Sequence, residues 1–403
     1  MDIKNTNERE IFSNMNNLFI KTENKDIKNQ IIKRNYGIDL LRIISMINII
    51  NLHLNLFSGQ LNLNYTSPKY VSIWYLELFS YNAVDSFGLI SGVVGYKRYK
   101  FSNLIYLWFL ASFYSTTISL YLFAKDKLNI KNLIISLFPI LIHRHWYVNA
   151  YFSMYLLLPF INYGINSLNR KVYKNLIIFF ILFFSIYDII AKIYGYVNYH
   201  FLNNGYSSML LTILYIIGAY FGKFIIIKKK NKNIVFFCFW ILIYIFCSFL
   251  NSEIYFHLLK AKSNINNQIL ISYLSPTILL QAISFIIFFS QLNINNKWIL
   301  KIISFLSPLT FSAQLIHARL FKENITIKKI LFKFLNKFNV HWLFFKIYGL
   351  AIIIYFICIF IDYFRLQLFK LFKIKEFSIF LEKEIPLLFD KLISNSKIAN
   401  NNF

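Results

Sequence analysis

Apolar stretches of about 20 residues recur along this chain, and nothing else in the sequence constrains its fold as strongly. Each is long enough to cross a hydrocarbon core of about 30 Å as an α-helix, a form in which a segment satisfies its own backbone hydrogen bonds. Ten such segments can be read, at 37–57, 71–96, 103–123, 147–167, 174–192, 206–227, 233–250, 268–291, 299–317 and 342–364. Charged residues make up only 15% of the chain, against about 25% in an ordinary soluble domain. The expected fold is an all-α integral membrane protein, a bundle of about ten transmembrane helices with no soluble domain long enough to bury its own core. Residues 1–34 are polar and Asn/Lys-rich, which suits a disordered cytoplasmic tail. Residues 35–369 form the expected membrane domain. Residues 370–403 are expected to be a cytoplasmic or interfacial tail, with apolar and charged positions alternating around Pro386. No apolar core of signal-peptide length follows a basic start, and no internal repeat of the kind that builds duplicated transporters is visible.

The net charge of +26 invites a nucleic-acid partner, but the placement of the basic residues argues for a lipid bilayer instead. Lys, Asn, Ile, Phe and Tyr dominate together, so part of the lysine excess reflects an overall compositional bias. With the N-terminus inside, the two tails carry seven Lys and Arg each and the four inner loops carry 13. The five outer loops carry 14 over a greater length. That asymmetry places both termini of a multi-pass protein in the cytoplasm. One outer segment runs against it, with Arg319, Lys322, Lys328, Lys329, Lys333 and Lys337 following His317. Its pattern, ITIKKILFKFLNKF, predicts an amphipathic helix lying in the interface.

Arg42 and His53 lie inside the first apolar segment, eleven residues apart. On an α-helix eleven steps of 100° return to within about 20° of the starting direction, roughly 16 Å further along the axis. Both side chains therefore occupy one face. An arginine inside a bilayer is costly unless it faces a cavity or a partner, so the pair reads as a functional site. The alternative is an arginine that snorkels to the interface and a histidine that packs. Asp39, one turn before Arg42, is placed to form a structural ion pair with it. Glu77 and Asp85 lie eight residues apart in the second segment, within about 80° of each other, so both can face the interior.

Other chemistries find little support. Cys238, Cys247 and Cys358 fall in apolar segments, with no CxxC motif and no adjacent histidine, which points to small buried hydrophobes. His143 and His145 flank Arg144, but that spacing alone is poor evidence for a metal, and none is expected. Glycine-rich nucleotide-binding motifs are absent from the sequence.

Four blocks, taken in order, resemble a known family. The opening RNYGIDLLRIISMINIINLHLN (34–55) is similar to the first helix of the bacterial acyltransferase-3 family, multispanning enzymes that O-acylate cell-surface glycans and related acceptors. That family's arginine, ten residues, then histidine fall here on Arg42 and His53. NAVDSFGLISG (82–92) resembles its second-helix pattern, and HWYVNAYFSMYLLLPFIN (145–162) its aromatic-rich helix ending in Pro and Asn. SPLTFSAQLIH (307–317) and IDYFRLQLFK (361–370) resemble its closing pair of helices. The resemblance covers roughly residues 34–374, and Gln314 departs from it where an aromatic residue is expected.

The resemblance implies an O-acyltransferase that takes acyl-CoA, acetyl-CoA in the simplest case, as co-substrate with no bound cofactor. The acceptor is a carbohydrate, either a surface polysaccharide or a lipid-linked sugar. Such a transfer needs a base for the hydroxyl proton, and a histidine of pKa about 6.5 suits that task. It also needs positive charge where the oxyanion develops or where phosphates sit. His53 is then the expected base and Arg42 the residue that orients the donor, with an acyl-histidine intermediate as an open variant. Asp85 is a further candidate for contact with substrate or with His53. Lys97, Arg98 and Lys100 are placed to bind coenzyme A phosphates, or simply obey the positive-inside bias. Trp146, Tyr147 and Tyr151 are either a sugar platform or an interfacial belt, and the role of His317 stays open. The competing reading is a carrier or flippase for a lipid-linked sugar, with Arg42 and His53 as charge relays.

Overall fold

Helix α1 (Tyr36–Phe57) is the axis on which the rest of the protein is hung. Its most apolar stretch is 61% buried, whereas the equivalent stretch of α7 is 17% buried, so α1 lies in the interior and α7 presents its surface outward. Such burial suits a helix that carries Asp39, Asn48, Asn51 and Asn55 among its buried residues, because those groups find partners only inside the bundle. The computed structural model describes residues 34–97, 99–125, 128–140, 145–195, 203–226, 233–261, 266–337 and 339–385. The unit that begins at Tyr36 is all helix and turn among its described residues.

Helices α2 (Pro68–Ser80) and α3 (Ala83–Gly95) follow, then α4 (Phe101–Phe123) and the short α5 (Ile130–Ile135). Next come α6 (Trp146–Ser167), α7 (Arg170–Ile193), α8 (Ser208–Phe224) and α9 (Ile234–Lys260). After these run α10 (Pro276–Gln291), α11 (Lys297–Leu306), α12 (Thr310–Glu323) and α13 (Ile325–Asn336). The chain closes with α14 (Leu343–Leu371) and a last helix, α15, at residues 374–385. Helices α2, α3, α10, α11, α12 and α14 all pack on α1.

Five helices, α1, α4, α7, α9 and α14, are each long and apolar enough to cross a bilayer alone among the described residues. The expected span 299–317 is realised as the bent pair α11–α12, which turns by 49°. Pro308 is the cause, since it lacks an N–H and its ring clashes with the preceding turn. The expected span 71–96 is divided into α2 and α3 at Tyr81–Asn82. Helices α8 and α10 are 17 and 16 residues long, roughly 25 Å each.

The tightest contact in the bundle joins α3 to α8. A Cβ on Gly92 would lie 2.0 Å from the Tyr215 carbonyl oxygen, and one on Gly218 would lie 2.0 Å from that of Leu89. Two backbones meet there because neither helix has a side chain in the way. Gly92 is thus spent on helix packing. Helix α13 forms where the amphipathic pattern predicts one, burying Leu331 and Leu335. It is tied back through Asn336, whose Oδ1 accepts from Gln60 Nε2 at 2.9 Å, and through the Leu335 carbonyl, which accepts from Lys69 Nζ at 2.8 Å. In α15, Glu382 Oε1 accepts the Phe101 backbone N–H at 2.7 Å, placing a carboxylate at the positive end of α4.

Candidate active site

Helix α1 packs against the bent pair α11–α12, and their polar side chains meet as two rungs. At the first rung, where the chain enters α1, Arg42 Nη1 donates to Asp39 Oδ1 at 2.8 Å and to Ser307 Oγ at 2.8 Å. Ser307 Oγ in turn donates to Asp39 Oδ1 at 2.8 Å. The bend at Pro308 delivers Ser307 to this point. Eleven residues further along α1 and ten further along the chain from Ser307, past the bend, His53 Nδ1 lies 2.9 Å from His317 Nε2. Arg42 and His53 therefore share the interior face that their spacing predicts.

The protons at the second rung follow from its partners. His317 Nδ1 lies 2.5 Å from the Ala313 carbonyl oxygen, and a carbonyl can only accept, so that nitrogen carries the hydrogen. In a neutral ring Nε2 then holds a lone pair and accepts from His53 Nδ1–H. His53 Nε2 is left without a hydrogen. His317 is buried at 1% exposure, whereas His53 is half-buried and opens onto a cavity of about 370 Å³. A lone pair on a histidine whose other nitrogen is held by a buried partner is an arrangement suited to taking a proton.

The cavity walls combine aromatic rings with carboxyls. Tyr81 and Tyr273 stack at 4.8 Å between ring centres, and Trp146 meets Tyr206 edge-on at 4.7 Å. Glu77 also lines the cavity, with its Oε2 accepting from Asn55 Nδ2 at 2.9 Å. Asp85 is wholly buried, and neither carboxyl oxygen has a hydrogen-bond partner. Its carboxyl sits within electrostatic range of the Tyr81, Tyr147 and Tyr273 hydroxyls, and it makes no hydrogen bond to His53. Gln314 also lines the cavity.

The other predicted residues divide between the cavity and the surface. Lys97 is exposed just beyond α3, with its ammonium 5.6 Å from the centre of the Tyr96 ring, and Arg98 falls outside the described residues, as do His143 and Arg144. His145 lines the cavity. Tyr147 and Tyr151 stack along α6 at 6.3 Å, and Tyr155 continues the row 6.0 Å beyond Tyr151. No group of three potential metal ligands occurs among the described residues.

Several members of the site escape sequence reasoning. Arg319, which reads as part of a basic outer loop, is instead buried at 2% exposure on α12. It donates to both Glu323 carboxylate oxygens at 3.1 Å, to Ser119 Oγ at 2.5 Å and to the Ser115 carbonyl. Away from the cavity, Asp362 and Arg365 on α14 form a second buried pair, at 2.7 Å. Tyr114 Oη donates to that carboxylate at 2.5 Å.

The model of the acyltransferase-3 family, an acyltransferase domain, matches residues 35–361. The chain belongs to that family. No curated protein and no solved structure matches it. The matched region contains both rungs and the whole cavity wall, so the paired histidines belong to the acyltransferase domain itself. The acyltransferase is a multi-pass membrane protein built around them.

Proposed function

We propose that the acyltransferase moves an acyl group, acetyl in the simplest case, from acyl-CoA to a hydroxyl of a cell-surface or exported glycan. The observation that carries this reading is the His53–His317 pair, whose hydrogen bonds leave His53 Nε2 as a bare acceptor in an aromatic-walled cavity. As the acceptor oxygen attacks the thioester carbonyl carbon, Nε2 takes the hydroxyl proton. The carbon–sulfur bond breaks, the ester forms, and the proton passes from His53 to the departing thiolate. Through the transfer, Nδ1–H of the imidazolium stays bonded to His317 Nε2, which holds the charged ring in place without moving a second proton.

Positive charge near the inner side supports a cytoplasmic donor. With the N-terminus inside the bacterial inner membrane, the Arg42 rung lies at the cytoplasmic end of α1 and His53 nearer the outer end. The two residues are roughly 16 Å apart along the helix. They therefore act on different parts of one long donor, Arg42 toward its phosphates and His53 at its thioester. The acyltransferase domain favours this reading over a carrier, which consumes no thioester.

The test is ester-linked acetate on surface glycans of cells carrying the intact chain, beside His53→Ala at equal membrane level. Acetate confined to the intact chain is the expected result. Equal acetate in both removes His53 from the chemistry, and thioester consumption with no ester formed removes the glycan acceptor.

A further inference from the structure

The transfer described above leaves one developing charge without a partner. As the acceptor oxygen bonds to the thioester carbon, the carbonyl π pair moves onto the carbonyl oxygen. A donor already in place beside that oxygen lowers the barrier. Arg42 does not reach it, because its rung lies roughly 16 Å along α1 from His53. Arg319 lines the cavity, but each of its nitrogens is engaged. Nε donates to Glu323, Nη1 to the Ser115 carbonyl and Nη2 to Ser119 Oγ. Lys322 also lines the cavity but is exposed, so water competes for its ammonium.

Gln314 meets the requirement. Around His317, α12 shows the cavity Phe311, Gln314 and Ala318, while the residues between them are buried. Their spacing of i, i+3 and i+7 is one helical face. Phe311 and Ala318 carry no polar side-chain group, so the Gln314 amide is the donor this face offers. It stands one turn before His317 and about 60° round the helix from it, next to the residue that fixes the His53 ring. Gln314 Oε1 is buried with no hydrogen-bond partner among the described residues, and Nε2 is the amide atom that meets the cavity. An unmet N–H is the rarer group to find buried, which favours this orientation, carbonyl inward and NH₂ outward. An amide with no partner does nothing for the fold, since burying an unpaired polar group is unfavourable. An NH₂ donates and cannot accept, so it suits an oxygen that gains negative charge and cannot compete with His53 for the proton.

We propose that Gln314 is a catalytic residue of the acyltransferase, its Nε2 donating to the thioester carbonyl oxygen while His53 Nε2 takes the hydroxyl proton. The carbonyl π pair passes to that oxygen, and the tetrahedral adduct holds its O⁻ against the Gln314 amide. When the carbon–sulfur bond breaks, the pair returns to re-form the carbonyl, and the thiolate takes the proton from His53. The inference rests on the acyl-transfer reading above. Permeabilised membranes of cells carrying the intact chain, which hold its acceptor, are given acetyl-CoA labelled in the acetyl group. Thiol release and labelled ester are followed against acetyl-CoA concentration, beside variants at equal membrane level. Gln314→Leu keeps the size of the side chain without the donor, and its kcat is expected to fall about 10²–10³-fold with KM for acetyl-CoA unchanged. The thermal midpoint of the same variant should hold or rise, because the unpaired Oε1 is gone. Gln314→Asn keeps the NH₂ on a shorter stem and should lose less than Gln314→Leu. Gln314→Glu exchanges the donor for an acceptor and should lose at least as much. Turnover undiminished in Gln314→Leu, or a loss confined to KM, overturns this inference alone. A fall in midpoint together with activity, with Gln314→Asn no better than Gln314→Leu, makes the amide a packing group and overturns it too. No thiol release by the intact chain overturns the acyl-transfer reading, and this inference with it.

Discussion

His317 holds His53 across 2.9 Å while its own Nδ1 is bonded to the Ala313 carbonyl one turn earlier. The second contact decides the first, because a backbone carbonyl accepts and never donates. A histidine deep in the bundle thus sets the tautomer of the one that faces the cavity. His53→Ala removes the base, and the expected loss in kcat is about 10²–10⁴-fold, the range of general base catalysis. His317→Ala leaves the base in place but frees its ring. The expected loss is smaller and falls on kcat with the donor KM unchanged. Release of free thiol from acyl-CoA by purified protein measures both. A His317 variant that loses as much as His53→Ala would make the pair a joint catalytic unit, and one with wild-type kcat would remove His317 from the chemistry.

At the other rung Arg42 carries the expected donor-binding charge, and Ser307 completes its geometry at 2.8 Å. Arg42→Ala is expected to raise KM for acyl-CoA at least about tenfold, the loss of one charge-assisted hydrogen bond. Arg42→Lys retains charge without the planar fork and should fall between the two. Ser307→Ala should change KM only slightly. If Arg42→Ala instead lowers protein yield and leaves the KM of the surviving protein intact, the Asp39 pair is structural.

The helical period alone put Arg42 and His53 on one face, because that argument needs only 3.6 residues per turn. The partner of His53 lies 264 positions away, and no local pattern encodes a pairing between helices that far apart. Apolar runs were equally legible, but their interruptions were not. A run containing Pro308 still reads as one apolar segment, and the 49° bend there shows only in the structure. Arg319 reads as a loop residue because a charge after an apolar run normally marks the interface. It is buried because Ser115 and Ser119 on α4 supply acceptors, and that compensation is tertiary. Tyr206 and Tyr273 sit beside α8 and α10 rather than within them, where aromatic residues carry no periodic signal.

The seam between α3 and α8 yields a prediction about folding rather than catalysis. Gly92→Ala would force a methyl to within 2.0 Å of the Tyr215 carbonyl oxygen, so the two backbones must separate. Overpacking of this kind costs about 1–3 kcal/mol or more. The thermal midpoint of the detergent-solubilised protein should fall clearly. Gly164→Ala on α6 is the control, since nothing lies within 4 Å of its Cβ position and alanine is the better helix former. Its midpoint should hold or rise. Equal midpoints for the two variants would mean that the α3–α8 contact is looser than described.

The buried pair on α14 offers a test of which polar groups stabilise the bundle and which act on substrate. Asp362 is wholly buried and Arg365 nearly so, and Tyr114 and Tyr106 donate or accept at either end of the pair. The pair does not line the cavity, so its expected work is to lock α4 against α14. Asp362→Asn leaves the Arg365 guanidinium buried without its counter-charge, a change worth about 3–5 kcal/mol. Replacing both residues at once, as Asp362→Leu with Arg365→Met, removes the charges together and should recover most of that loss. Thermal midpoints of the three proteins read the effect directly. Thiol release by whatever folded fraction remains should match wild type per molecule. If the double variant is stable yet inactive, Asp362 and Arg365 belong to the catalytic machinery and the lock between α4 and α14 is only part of their work.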